Sequence, residues 1–377
     1  MLRRVISFGL ELEIFDPAGA GELKLMRRFP SFRLGNRVLW GLWRRTPGSK
    51  YSRNFPVALA TPVGDWLASR WVPRCTIFHG WSALCLAGMR AAKRVGAVTM
   101  IENAILHPTA WQKVVIEECN AFGVHPRDCR SILPSALIRR MEREYEICDH
   151  IIVPSAIARQ SFEAAGFGSK TIVVHAGVDH NFFCPPTMPA ARDLFRVCYV
   201  GRVELAKGVP YLLQAWRQLG LEKAELVLIG EVSPEMHALI EQCRLPNVHF
   251  MGMLPAAQVA DHYRNSNLFV FPSVNEGLAR VLLEAMASGL PVIATEESGA
   301  GDCVSPGVDG TIVAARNVGT LAAAMLWHYQ NPEATAAMGK AARDKIEARF
   351  TLSHYEERMI AVYRQVAGQG SASVSLP

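Results

Sequence analysis

With 377 residues, half of them apolar and a fifth charged, the chain has the length and balance of two globular domains, each able to bury its own core. No stretch approaches the roughly 18 uninterrupted apolar residues of a membrane span. The net charge of +6 is unevenly placed, with 24 Lys+Arg against 15 Asp+Glu in residues 1–190 and 16 against 19 in the remainder.

The opening MLRRVISFGLELEIF lacks the long apolar run and small-residue cleavage site of a signal peptide. From Leu23 to Gly64 no acidic residue occurs, against nine Lys and Arg. Within that window, Arg27 to Arg45 interleaves Arg27, Arg28 and further arginines with Phe29, Phe32, Trp40 and Trp43. Such a pattern suits an anionic membrane surface, a phosphate-bearing acceptor or nucleic acid, and a solvated basic face with core aromatics would also produce it. Two tryptophans three residues apart favour the membrane, since they are costly to leave in water without a purpose. The nine cysteines are scattered, with no C-x-x-C pair, which fits a reduced cytoplasm and argues against a zinc site or a disulfide frame.

Short β-rich runs alternate with helical patterns. Strands are predicted near Thr76–Phe78, Ala97–Ile101, His150–Pro154 and Thr171–His175. A proline-rich break, Asp179 to Asp193, reads as a linker. Beyond it strands are predicted near Val197–Val200, Glu225–Ile229, Val248–Phe250, Leu268–Phe271 and Val292–Ala294, separated by helices as in a doubly wound parallel sheet. The division expected is an N-terminal Rossmann-like domain (1–180), a linker (181–193) and a C-terminal Rossmann-like domain (194–350). The last helix (352–367) opens on a capping box, Ser353 with Glu356, and carries Tyr355, Met359, Val362 and Val366 as an apolar stripe. The tail, 368–377, reads as disordered.

Two strings carry chemistry. FPSVNEGLARVLLEAMASGLPVIAT, Phe271 to Thr295, holds Glu276 and Glu284 with seven residues between them and ends like a helix at Gly289, with Pro291 beyond. Eight residues of helix rise about 12 Å, so the two carboxylates would hold two ends of one long polar ligand rather than one atom. Upstream, GRVELAKG places Arg202 and Lys207 between a strand end and a helix start, facing the same crevice. Taken singly, each of these residues reads as an ordinary solvated charge. In these strings they resemble the E-x7-E signature and the G-R-x4-K-G diphosphate clamp of retaining glycosyltransferases of the GT-B fold, family 4 (glycosyl transferases group 1). Leu278 and Ala279 depart from the Phe and Gly common there.

The resemblance implies two Rossmann-like doubly wound domains facing a cleft, with the terminal helix crossing back onto the first. It implies a hexosyltransferase-type enzyme moving a sugar from a UDP- or GDP-linked nucleotide-sugar to a hydroxyl acceptor. The pathway implied is cell-surface polysaccharide, lipopolysaccharide or glycolipid synthesis, with a saccharide or lipid-linked acceptor at the inner face of the plasma membrane and no nucleic acid partner. Donor binding falls to Gly201, Arg202, Lys207, Gly230, Glu276, the amides of Gly277, Leu278 and Ala279, and Glu284, which would accept from the ribose hydroxyls. Catalysis falls to Glu276, Arg202, Lys207 and His107. Acceptor residues fall at His79, Glu102 and Asn103, after strands of the first half, with Arg27, Arg28, Trp40 and Trp43 toward acceptor or membrane. The Gly-rich first turn of many members is represented by AGAGE, Ala18 to Glu22. No D-x-D and no His/Cys/carboxylate cluster at metal spacing occurs, so no metal and no cofactor is expected. A catalytically idle relative acting as a membrane-associated partner, or an epimerase or phosphorylase of the same fold, would share these motifs.

Overall fold

The computed structural model describes residues 3–7, 23–25, 54–187, 194–243 and 245–372; Arg27, Arg28, Trp40, Trp43, the 18–22 turn and linker residues 188–193 lie outside them. Two six-stranded sheets, parallel throughout, organise the chain. The first has the order β2-β1-β3-β4-β5-β6, from β1 (Arg3–Ser7), β2 (Leu23–Leu25), β3 (Ile77–Trp81), β4 (Val98–Glu102), β5 (His150–Val153) and β6 (Thr171–Val173). The second has the order β12-β11-β10-β7-β8-β9, from β7 (Phe195–Val200), β8 (Ala224–Ile229), β9 (Val248–Gly252), β10 (Leu268–Phe271), β11 (Val292–Thr295) and β12 (Gly310–Val313).

Both sheets are doubly wound. In the second, winding runs outward from β7 through β8 and β9, then resumes on the other side of β7 with β10. The crevice between the carboxyl ends of β7 and β10 is therefore a topological switch point, where open α/β sheets gather ligands. Strands β10 and β11 are buried at every residue, as their apolar runs (LFVF, VIAT) require of strands covered on both faces. The sequence reading missed β1, β2 and β12, whose runs (RRVIS, LKL, GTIV) are short or interrupted by charge.

The terminal helix, Leu352–Ala372, lies on the first sheet: Tyr355, Met359, Val362, Tyr363, Val366 and Ala367 bury against Ile77, Met100, Ile152 and Val174. Two expectations are corrected here. The capping box sits two residues earlier, because Thr351 is held by a bridge to Val178. Its hydroxyl accepts from the His354 amide at 3.3 Å, and the His354 ring accepts from the Thr351 amide at 3.3 Å. The helix also runs through residues 368–372, which the sequence assigned to a disordered tail. Once Val366 and Ala367 are packed, each further residue extends an existing helix instead of nucleating one.

The core of the second unit is not made by its own residues alone. Trp111, Val115 and Cys119, on the helix Pro108–Ala121, are buried within it. All nine cysteines are free thiols.

Met359 is fully buried in the interface between terminal helix and first sheet. Met359→Ala should destabilise the protein by about 2–5 kcal/mol, read as a lowered urea midpoint at unchanged slope.

Candidate active site

The chain leaves β7 at Gly201, whose amide donates to the Ile229 carbonyl at 2.9 Å, and passes Arg202 before the turn Leu205–Lys207. Gly230 ends β8 directly against the Gly201 carbonyl. Gly208 then starts the helix Val209–Leu219 from a left-handed conformation, φ 67°, and a Cβ there would collide with the Pro272 carbonyl. That approach presses the β7 loop against the loop leaving β10. The Ser273 hydroxyl and the Val274 amide both donate to the Ala206 carbonyl at 3.1 Å.

Across this seam the Lys207 ammonium meets the Glu276 carboxylate. Lys207 is 8% exposed and lies 5.4 Å from the centre of the Trp111 ring. Arg202, half-exposed, reaches the buried Glu204 carboxylate at 3.0 Å, and Glu204 accepts from the Ser131 hydroxyl at 2.8 Å. Both cations of the GRVELAKG string thus stand at the switch point, each engaged by a carboxylate.

The two glutamates of the other string do not share a helix. The helix is Arg280–Ala287, so Glu284 lies on it and Glu276 precedes it. The loop is held open by outside acceptors: the Glu276 amide donates to the Glu297 carbonyl at 2.9 Å, and the Ala279 amide to the Ser298 carbonyl at 3.1 Å. The Ala279 amide is therefore spent, whereas those of Gly277 and Leu278 have no acceptor among the described residues. Gly277 is pinched from three sides. A Cβ there would collide with the Ala104 carbonyl, the Ser155 hydroxyl donates to its carbonyl, and Gly299 packs against that same carbonyl. The ESGAGD turn makes its close backbone approach to this loop. Glu284 accepts from the Tyr263 hydroxyl at 3.3 Å, and burial raises its pKa against the pull of Arg280 and that hydrogen bond.

The first unit closes over the seam. The Asn275 amide nitrogen donates to the Trp111 carbonyl at 3.0 Å, and the Ala156 amide to Asp302 at 3.0 Å. The buried carboxylate of Glu118 takes Arg316 at 2.5 Å and the Tyr211 hydroxyl at 2.9 Å.

Of the first-half residues, His79 lies midway along β3 and Glu102 ends the neighbouring β4. The His79 Nδ1 lies 2.7 Å from the Tyr363 hydroxyl and its Nε2 3.5 Å from Glu102, while Tyr355 donates to Glu102 at 3.3 Å. Burial pushes His79 down to about 4, so the ring is neutral at pH 7 and its contact with Glu102 is not an ion pair. Burial pushes the Glu102 carboxyl up to about 7, with Tyr355 and Arg280 pulling the other way. Asn103 is buried and accepts from the Tyr145 hydroxyl at 3.1 Å. The His107 ring packs on Tyr145, Phe162 and Phe167, its Nδ1 lies 2.7 Å from the Thr109 hydroxyl, and burial pushes it down to about 4. Sequence reasoning missed Trp111, Glu204, Asn275, Tyr263 and Arg280. Asn275 and Arg280 stand inside the Phe271–Thr295 string and Glu204 inside GRVELAKG; no local pattern marks Trp111 or Tyr263, which meet Lys207 and Glu284 from elsewhere in the chain.

Residues 189–345 match the family model described as glycosyl transferases group 1. The chain is 31% identical to the D-inositol 3-phosphate glycosyltransferase of Kribbella flavida over 52% of this chain and 51% of that one. It is 27% identical to the capsular polysaccharide biosynthesis glycosyltransferase CapM of Staphylococcus aureus over 58% and 59%. The chain thus spans about half the length of the curated relatives it matches. Among solved structures it superposes on Anabaena HepE in complex with UDP at TM-score 0.64, with 16% identity over 97% of this chain and 100% of that one. The fold is GT-B.

An acid whose folded pKa is raised keeps its proton in the native state while the unfolded chain gives it up, so stability falls as pH rises through that window. For Glu102 the window runs from the usual 4.5 to about 7. The stability of Glu102→Gln relative to wild type should therefore grow from pH 4.5 to 7 and stay level above, measured as urea midpoints across that range.

Proposed function

We propose that this chain, whose carboxy-terminal unit belongs to the glycosyl transferases group 1, is a retaining glycosyltransferase. It would move a sugar from a UDP- or GDP-linked donor to a hydroxyl acceptor, without a metal. The observation that carries the reading is the meeting of Lys207 and Glu276 at the switch point between β7 and β10. Two cations at that point suit a diphosphate, and the vacant amides of Gly277 and Leu278 suit its oxygens.

In this reading Arg202 and Lys207 neutralise the departing nucleoside diphosphate as the glycosidic bond breaks. Glu284 accepts from the ribose hydroxyls and Glu276 contacts the transferred sugar. The acceptor hydroxyl attacks from the face the diphosphate leaves, and a phosphate oxygen takes its proton, so no side-chain nucleophile is required. His79, within β3, and Glu102 and Asn103, at the end of β4, belong to the acceptor side. The capsular name of one relative supports surface polysaccharide or glycolipid synthesis. The basic, aromatic stretch Arg27–Arg45 supports a saccharide or lipid-linked acceptor at the inner membrane face, with peripheral attachment there.

Calorimetric titration with UDP, GDP and ADP, with and without chelator, tests the site. Chelator-resistant micromolar binding of one diphosphate is expected, and Lys207→Ala should abolish it. Absence of binding to all three would move the reading to a catalytically idle partner protein. With the cognate donor in hand, Lys207→Ala and Glu276→Ala should each lower kcat by about 10²–10³-fold, the usual loss when a transition-state partner is removed.

A further inference from the structure

The helix Asn54–Ser69 shows two unlike faces. On one, Asp65 and Ala68 are buried. Asp65 accepts from the amides of Ala87 and Gly88 at 2.6 and 2.9 Å and is gripped by Arg140, which fastens the helix to its neighbour Leu86–Arg94. On the other, Val63, Trp66, Leu67 and Trp71 are 52, 50, 47 and 71% exposed. Their spacing, with Arg70 included, is that of one helical stripe, continued past Ser69 by the closing turn in which Trp71 donates to the Ala68 carbonyl at 3.0 Å. The Arg70 guanidinium stacks on the Trp66 ring, 3.8 Å from its centre.

Four large apolar side chains in one solvent-facing row need an occupant. The surrounding charge chooses it. Among the described residues from Asn54 to Ile101 the sequence holds five Lys and Arg and a single acid, Asp65, which faces inward. Arg70 on its closing turn, Arg74 in the segment just beyond, and Arg90 and Arg94 on the adjacent helix are all exposed. An apolar row rimmed by cations matches a bilayer with anionic headgroups: the indole rings enter the interface while the guanidinium groups pair with phosphates.

We propose that Val63, Trp66, Leu67, Arg70 and Trp71 form the surface by which the first unit docks on an anionic membrane. The inference rests on the membrane-surface part of the proposed function and places that contact on residues other than Arg27–Arg45. The stripe holds the apolar anchor and the arginines supply attraction that fades with salt.

The test is co-sedimentation of the full chain with vesicles of phosphatidylcholine alone or mixed with phosphatidylglycerol, for wild type, Trp66→Ser/Trp71→Ser and Arg74→Glu. Wild type should bind only the mixed vesicles, the double variant at least tenfold more weakly, and Arg74→Glu with reduced salt dependence. Thermal midpoint and diphosphate binding should be unchanged in all three. Equal binding by the double variant would overturn the docking surface and leave membrane attachment to other residues. Failure of wild type to bind would overturn both, while diphosphate titration reports separately on the transferase reading. A dimer of the wild type that the double variant dissolves, without vesicle binding, would assign the stripe to a second copy of the chain.

Discussion

An ammonium and a carboxylate brought together in a nearly dry seam set the terms for everything around them. Lys207 and Glu276 come from loops that share no local sequence, and only the adjacency of β7 and β10 in the sheet unites them. A pair this far out of water stabilises only if both partners are held in register, and losing one partner costs about 3–5 kcal/mol because the other charge is stranded. The backbone supplies the register. Gly208 lets the first loop press on Pro272, Ser273 and Val274 lock onto Ala206, and Glu297 and Ser298 tether the second loop from β11. Trp111, from the other unit, covers the pair and is itself tied to Asn275. The seam and the contact between the two units are one construction.

The legible parts of this protein were those whose causes are local. The apolar runs that become β10 and β11, and the glycine stop at Gly289, announce themselves within a few residues. The start of the helix after Glu276 did not, because its boundary is set by acceptors on residues 297 and 298. Without that tether, the LARVLLEAM pattern would run the helix back toward Glu276. The shifted cap at Thr351 has the same origin, since its bridge to Val178 lies 173 positions away in the chain. His107 shows the limit from the other side. A histidine after a strand reads alike whether its ring meets solvent or, as here, Phe162 and Phe167.

The first-unit side of the cleft, at His79 and Glu102, is governed by burial rather than by ion pairing. His79 and Glu102 touch, yet desolvation holds the histidine neutral and raises the carboxyl to about 7, so near pH 7 only the carboxyl carries charge, and only about half the time. Two tyrosines from the terminal helix, Tyr355 and Tyr363, supply their hydrogen bonds. Arg280, from the second unit, is the charge felt both by Glu102 and by Glu284, so one cation is shared between the two halves of the cleft.

The terminal helix also fixes an order of events during synthesis. A ribosome emits residues 77–174 long before residues 355–367, yet Ile77, Met100, Ile152 and Val174 share one buried cluster with the latter. One face of the first sheet therefore stays wet while some 180 further residues are translated, a wait of about 10–40 s at 5–20 residues per second. The second unit, whose strands end at Val313, leaves the tunnel within that interval. The half of the protein that is made first is the half that finishes last, and the nascent chain carries an open apolar sheet face until its final helix arrives.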